Sequence, residues 1–99
     1  MADYLVSPEA LDDLRSIRDF IALDSSVAAE KVLDELFAAF EQLAEWPGQG
    51  HIRPDFTNRK VLFWPVGSYL VVYRGKPAPL EIVAVLHGAR DIPAVMQSR

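Results

Sequence analysis

Between Lys60 and Asp91 the chain reads KVLFWPVGSYLVVYRGKPAPLEIVAVLHGARD, and no other stretch so narrows the folds open to it. Three runs rich in Val, Leu, Ile and aromatic residues predict strands at Lys60–Trp64, Tyr69–Arg74 and Leu80–His87. The breaks between them are turn chemistry: Pro65-Val66-Gly67-Ser68, then the longer Gly75-Lys76-Pro77-Ala78-Pro79. Such short connections make the runs consecutive antiparallel partners, a three-stranded meander. Tyr69–Tyr73 and Ile82–Leu86 do not alternate apolar with polar, so both faces of the sheet are apolar.

Ahead of the meander lies a helical half. Ser7 can cap free N–H groups, Pro8 suits the first helical position, and Glu9 favours the positive end of the helix dipole. Leu11, Leu14, Ile17, Phe20 and Ile21 then recur at three- and four-residue steps, predicting one buried face. Asp24-Ser25-Ser26 breaks that pattern and caps a second helix with Ala29, Val32, Leu33, Leu36, Phe37, Phe40 and Leu43 as its stripe. Pro47, Gly48 and Gly50 end it near Glu45-Trp46. A connection of about three residues folds the two helices into an antiparallel hairpin. Asp3–Val6 reads as a short first strand and Asp91–Gln97 as a last helix with Asp91 as cap. The predicted class is α+β: an N-terminal strand, an antiparallel helix hairpin, a three-stranded antiparallel meander and a short C-terminal helix. A single helix hairpin covers one face of such a sheet. The other is expected to expose Trp64, Tyr69, Tyr73 and valines to a protein partner, unless the last helix covers it.

Ninety-nine residues suit one domain, 1–99, with a modest core. The chain has no cysteine, so a disulfide framework and a thiolate metal site are both excluded. The first residues carry no basic, apolar leader, and no apolar run approaches the ~20 residues of a membrane span. A cytoplasmic protein with no membrane association is expected. His51 and His87 have no spaced carboxylates beside them, so no metal is predicted, and no cofactor motif is present.

The net charge of −4 hides a division. Residues 1–46 hold eleven carboxylates against three cations, whereas residues 47–99 hold seven cations against three carboxylates. Arg53, Arg59, Lys60 and Arg74 border the strands and form a candidate patch for an acidic peptide or a phosphate backbone, or else an ordinary solvated rim. His87 and Arg90 stand where the last strand leaves the sheet. Imidazole can move protons near neutral pH, and guanidinium can hold a phosphate through two parallel hydrogen bonds. The plainer reading is a His capping backbone and an Arg paired with a helix carboxylate such as Asp13 or Glu41. Asp12 and Asp13 themselves read as solvated helix-face charges.

Several segments in order carry a family resemblance: Ser7-Pro8-Glu9-Ala10, Ala44-Glu45-Trp46-Pro47, Gly50–Arg53, Tyr69–Arg74 and Ile82–Asp91. Together they make the chain resemble the RelE/ParE superfamily of bacterial type II toxin–antitoxin toxins, the plasmid stabilisation proteins. The resemblance implies the fold derived above, a cognate antitoxin from the adjacent gene, and a toxin–antitoxin hetero-oligomer. RelE-type members cut mRNA on the ribosome, which would make His87 the acid or base and Arg59 and Arg90 the phosphate clamps. ParE-type members poison DNA gyrase without such a set. The loop before the meander holds a single Arg53, no Tyr follows His87, and His-Gly-Ala-Arg-Asp looks closer to the ParE branch. In that branch Arg53, Lys60, Trp64, Tyr69, Tyr73 and Arg74 are the expected partner-binding residues.

Overall fold

The computed structural model describes residues 3–99, and its helices begin where the capping chemistry places them. The Ser7 hydroxyl accepts the Ala10 N–H at 3.1 Å and opens α1 (Pro8–Ala22). The Ser25 hydroxyl accepts the Ala28 N–H at 3.1 Å and opens α2 (Ser26–Glu45). Ahead of them is β1 (Tyr4–Val6); after them come β2 (Leu62–Val66), β3 (Tyr69–Arg74), β4 (Leu80–His87) and α3 (Ile92–Ser98). The sheet order is β1-β4-β3-β2. The meander pairs antiparallel, while β1 lies parallel to β4 with Tyr4 beside Leu80 and Val6 beside Ile82.

The first strand of the meander is displaced from its predicted bounds. It starts at Leu62 and runs on through Pro65 to Val66, leaving the two residues Gly67-Ser68 as the turn. Gly67 has φ +56° and, among the described residues, no non-glycine has positive φ, the sign pattern of a type II′ hairpin. Pro65 is tolerated because β2 is an edge strand, where the missing N–H breaks no ladder.

The apolar face left open by the sequence reading is covered. On the hairpin side, Leu14, Leu36, Phe40 and Leu43 pack on Val71, Tyr73, Ile82 and Val85. On the opposite side, Ile92 and Met96 of α3, with Val61 and Phe56 from the preceding loop, pack on Phe63, Val72, Ala84 and Leu86. Non-alternating strands therefore mark a sheet buried on both faces. A shift of register between Val72 and Tyr73 sets Tyr73 opposite Ile82, leaving Val83 and Ala84 together on the α3 side. Tyr73, Trp64 and Tyr69, predicted on the open face, point to the hairpin instead, and Tyr73 is 0% exposed. Phe20, predicted in the α1 stripe, is 74% exposed at the hairpin tip with Leu23 and Val27.

Pro47–Gln49, read from the sequence as chain-breaking loop, form one turn of 3-10 helix. The Tyr73 hydroxyl fixes it, donating to the Pro47 carbonyl at 2.7 Å and accepting the Gly50 N–H at 2.8 Å. The phenol sits so close to Gly50 that a Cβ there has no room. Burial holds the Tyr73 hydroxyl above the ordinary tyrosine range, partly offset by the Gly50 N–H. Tyr73→Phe should lower unfolding free energy by about 1–3 kcal/mol, since Gly50 N–H and the Pro47 carbonyl lose their partner. The raised hydroxyl makes the folded state lose stability as pH climbs past the unfolded tyrosine value of about 10. Tyr4, also raised by burial, adds to that loss. Urea unfolding at pH 7 and pH 10.5 tests both statements: the variant should show the smaller loss between the two pH values.

Candidate functional site

Two surfaces gather the residues singled out by the sequence. The first is a groove of about 520 Å³ between the 3-10 turn, the start of β2 and the end of β3. Pro47, Ile52, Val61 and Leu62 form its apolar walls, and Arg59, Lys60, Arg74 and Lys76 supply its charge. Backbone hydrogen bonds hold the intervening loop in place. His51 and Phe63 exchange two at 2.8 Å, Phe56 N–H reaches the Arg53 carbonyl at 2.9 Å, and Val61 N–H reaches the Arg59 carbonyl at 2.9 Å. Arg53 grips Asp55 through two hydrogen bonds, 2.9 and 2.7 Å, and lies 3.9 Å over the Phe56 ring. That carboxylate holds the Arg53 guanidinium above its usual range, while the guanidinium holds Asp55 below its own. Arg53 is thus committed to its loop and does not line the groove.

Arg74 pairs across the strands with Glu81 at 3.0 Å, both about two-fifths exposed. Among the described residues, Arg59, Lys60 and Lys76 have no such ion pair. The Nη1 of Arg59 is buried and has no hydrogen-bond partner.

The second surface is the cleft between α1 and the end of β4, lined by Ser16, Phe20, Tyr69, His87, Arg90 and Arg99. His87 is exposed, its ring edge-on to Tyr69 at 5.4 Å between centroids. Its Nδ1 accepts the Ala89 N–H at 3.1 Å, and its carbonyl accepts the Arg90 N–H at 3.0 Å. The imidazole therefore caps the turn that leaves the sheet. Arg59 does not line that cleft. It shares a small cavity with Arg74, Glu81, Val83, Ala84, Met96 and Arg99, along the first half of β4, the strand that His87 ends.

His87 and Arg90 are together; Arg59 is not with them. The expected partner residues divide likewise. Lys60, Tyr73 and Arg74 line the groove, with Tyr73 as a buried floor. Tyr69 belongs to the cleft, and Trp64 lies half-buried, stacked 6.3 Å from His51. Ile52, 75% exposed, is a groove residue that the sequence reading passed over; an isoleucine within a polar loop was its only signal.

Asp13 is not a solvated charge. Its carboxylate accepts the Val85 N–H at 3.0 Å and two hydrogen bonds from Arg99, 2.7 and 2.8 Å. Only 11% of its side chain is exposed. Asp13, with Glu9 nearby, holds the Arg99 guanidinium above its usual range.

A family model, the ParE toxin of the type II toxin–antitoxin system parDE, matches residues 4–92. The chain belongs to that toxin family. It is 32% identical over 90 residues to Toxin RelE2 of Caulobacter vibrioides, covering 91% of this chain and 99% of that protein. Among solved structures it is similar to a chromosomal ParDE toxin–antitoxin system from P. aeruginosa. There the TM-score is 0.72 at 20% identity, over 88% of this chain and 96% of that one, a likeness of fold. Membership of the family implies a cognate antitoxin as partner.

The Asp13–Arg99 pair gives a direct test of the α3 tether. Asp13→Asn should cost about 1–3 kcal/mol, because the pair is charge-assisted, bidentate and largely shielded. A double-mutant cycle with Arg99→Gln should return a coupling above about 1 kcal/mol. The exposed Asp12–Arg15 pair, 3.6 Å apart, should return less than about 0.5 kcal/mol by the same measurement.

Proposed function

We propose that this toxin acts by gripping a protein target, DNA gyrase, without catalysis of its own, and that its cognate antitoxin blocks that grip. The observation that carries the reading is the separation of the groups an RNA-cutting site needs. Cleavage through a ribose 2′-hydroxyl calls for a base and phosphate clamps converging on one phosphodiester, each within about 3 Å of its atom. Here Arg59 lines a cavity along the first half of β4, and His87 lies in a separate cleft at that strand's end. His87 Nδ1 already accepts a backbone N–H, and among the described residues Arg90 is the sole arginine close beside it in sequence.

The family match to ParE supports the same reading, since ParE-type toxins are gyrase poisons. Such a target belongs to the cytoplasm. No helix among the described residues is long and apolar enough to cross a membrane. The second reading, ribosome-dependent mRNA cleavage, would have to run on His87 and Arg90, with Arg99 of the same cleft already taken up by Asp13.

Purified chain added to gyrase, ATP and relaxed plasmid should abolish supercoiling and accumulate cleaved DNA. His87→Ala and Arg90→Ala should leave that inhibition within about twofold of wild type. For a nuclease, losing the acid or base costs about 10²–10⁴ in rate. Unaffected gyrase, together with growth arrest abolished by His87→Ala, would transfer the function to mRNA cleavage.

A further inference from the structure

The tip of the helix hairpin is apolar and bare. Phe20 and Leu23 stand three residues apart at the end of α1, and Val27 begins α2 just beyond the turn. They are 74%, 83% and 76% exposed. Single exposed apolar side chains are ordinary, but three on one tip mark a contact surface. Asp24 beside Leu23 and Glu30 one turn on from Val27 flank the cluster, and among the described residues neither has an ion pair. Lys31, next in sequence to Glu30, is turned to another side of the helix. Asp19, by contrast, is held by Arg18 at 3.0 Å.

The same molecule carries the complement at its other end. In the groove, Ile52 and Leu62 offer an apolar wall, while Lys60 and Lys76 are exposed and have no ion pair among the described residues. Val27 opens α2 and Pro47, a wall of the groove, follows its end. The helix between them, about 27 Å from Val27 to Glu45, keeps the tip from its own groove.

We propose that the hairpin tip of one copy seats in the groove of a second copy: Phe20, Leu23 and Val27 lie against Ile52 and Leu62, and Asp24 and Glu30 meet Lys60 and Lys76. Charge selects this arrangement. A tip-to-tip pair would set the carboxylates of both copies together, and a groove-to-groove pair would do the same with the ammonium groups. Only tip to groove brings opposite signs into contact. The contact joins two different surfaces, so each copy in a pair keeps one tip or one groove open to the next. So small a surface, edged by exposed charges, makes a weak contact that salt weakens further.

Sedimentation of the purified chain without antitoxin, over about a hundredfold range of concentration at low and at high salt, tests this. At low salt the average mass should climb from the 11.1 kDa of one chain past twice that value, and high salt should reverse the rise. Leu23→Asp in the tip should weaken association at least tenfold, and so should Lys60→Glu with Lys76→Glu in the groove. Mixed together, the two variants should recover association but stop at one pair, since they share a single intact tip and a single intact groove between them. Every substituted side chain is exposed; should Leu23→Asp lose its fold, Val27→Ser takes its place. A chain that stays monomeric throughout overturns the proposal. So does association that either variant leaves intact, or a mixture that recovers none. A tip variant that associates like wild type but no longer inhibits gyrase would give the tip to the target, and would overturn the proposal too.

Discussion

The layers of this molecule are joined through the outer edge of β4. β1 covers that edge only from Leu80 to Ile82, so the rest of the strand leaves its peptide groups facing α1. Two residues of α1 and its cap answer them. Ser7 gives its N–H to the Ile82 carbonyl at 3.0 Å and its hydroxyl to the Val83 carbonyl at 3.1 Å. Asp13 accepts from Val85. A sheet edge left unpaired under a helix would be costly, and polar side chains on the helix make the packing possible. The same carboxylate then takes both arms of Arg99, so a single side chain joins the first helix, the central strand and the last helix. With α3 drawn across it, the second face of the sheet has a cover.

That joint explains why some of the architecture was legible from residues alone and some was not. Ser7 and Ser25 announce their helices because a cap acts on an N–H three positions away, within view of any local reading. The β3 and β4 bounds follow from runs of branched residues for the same reason. Asp13 meets Val85 and Arg99 at separations of 72 and 86 residues, and beside Asp12 it looks like one more helix charge. Cover of the second face stood in the sequence reading only as the alternative, for a related cause. Phe56, Ile92 and Met96 come from a loop and a seven-residue helix, too short for any periodicity to show. The strand through Pro65 did carry a signal: Gly67-Ser68 alone makes a two-residue turn, and an edge position excuses the proline.

The candidate site was legible in kind but not in grouping. The basic residues of the second half do converge, and Arg59, Lys60 and Arg74 line one groove with Lys76. The RelE-type resemblance grouped Arg59 with Arg90 and His87, yet Arg59 lines a different cavity from the other two. Arg53 stands apart from the groove for a local reason, since it pairs with Asp55 two residues on. Aromatic residues were misjudged by face: the strand register turns Tyr73 toward the hairpin, where its hydroxyl shapes the groove from beneath rather than meeting a partner.

A net charge of −4 does not describe the surface that the groove presents. The carboxylates of α1 and α2 lie on the helical layer, while the groove is built from the β2–β3 end and its loop. No carboxylate lines the groove among the described residues, while Arg59, Lys60, Arg74 and Lys76 do, so a chain of net −4 still presents a cationic surface to whatever approaches it. The case for a non-catalytic toxin therefore rests on geometry: a histidine occupied by its own turn, and an Arg59 that lines a different cavity from it. The local cation surplus, set between isoleucine and leucine, is a feature of recognition rather than of turnover.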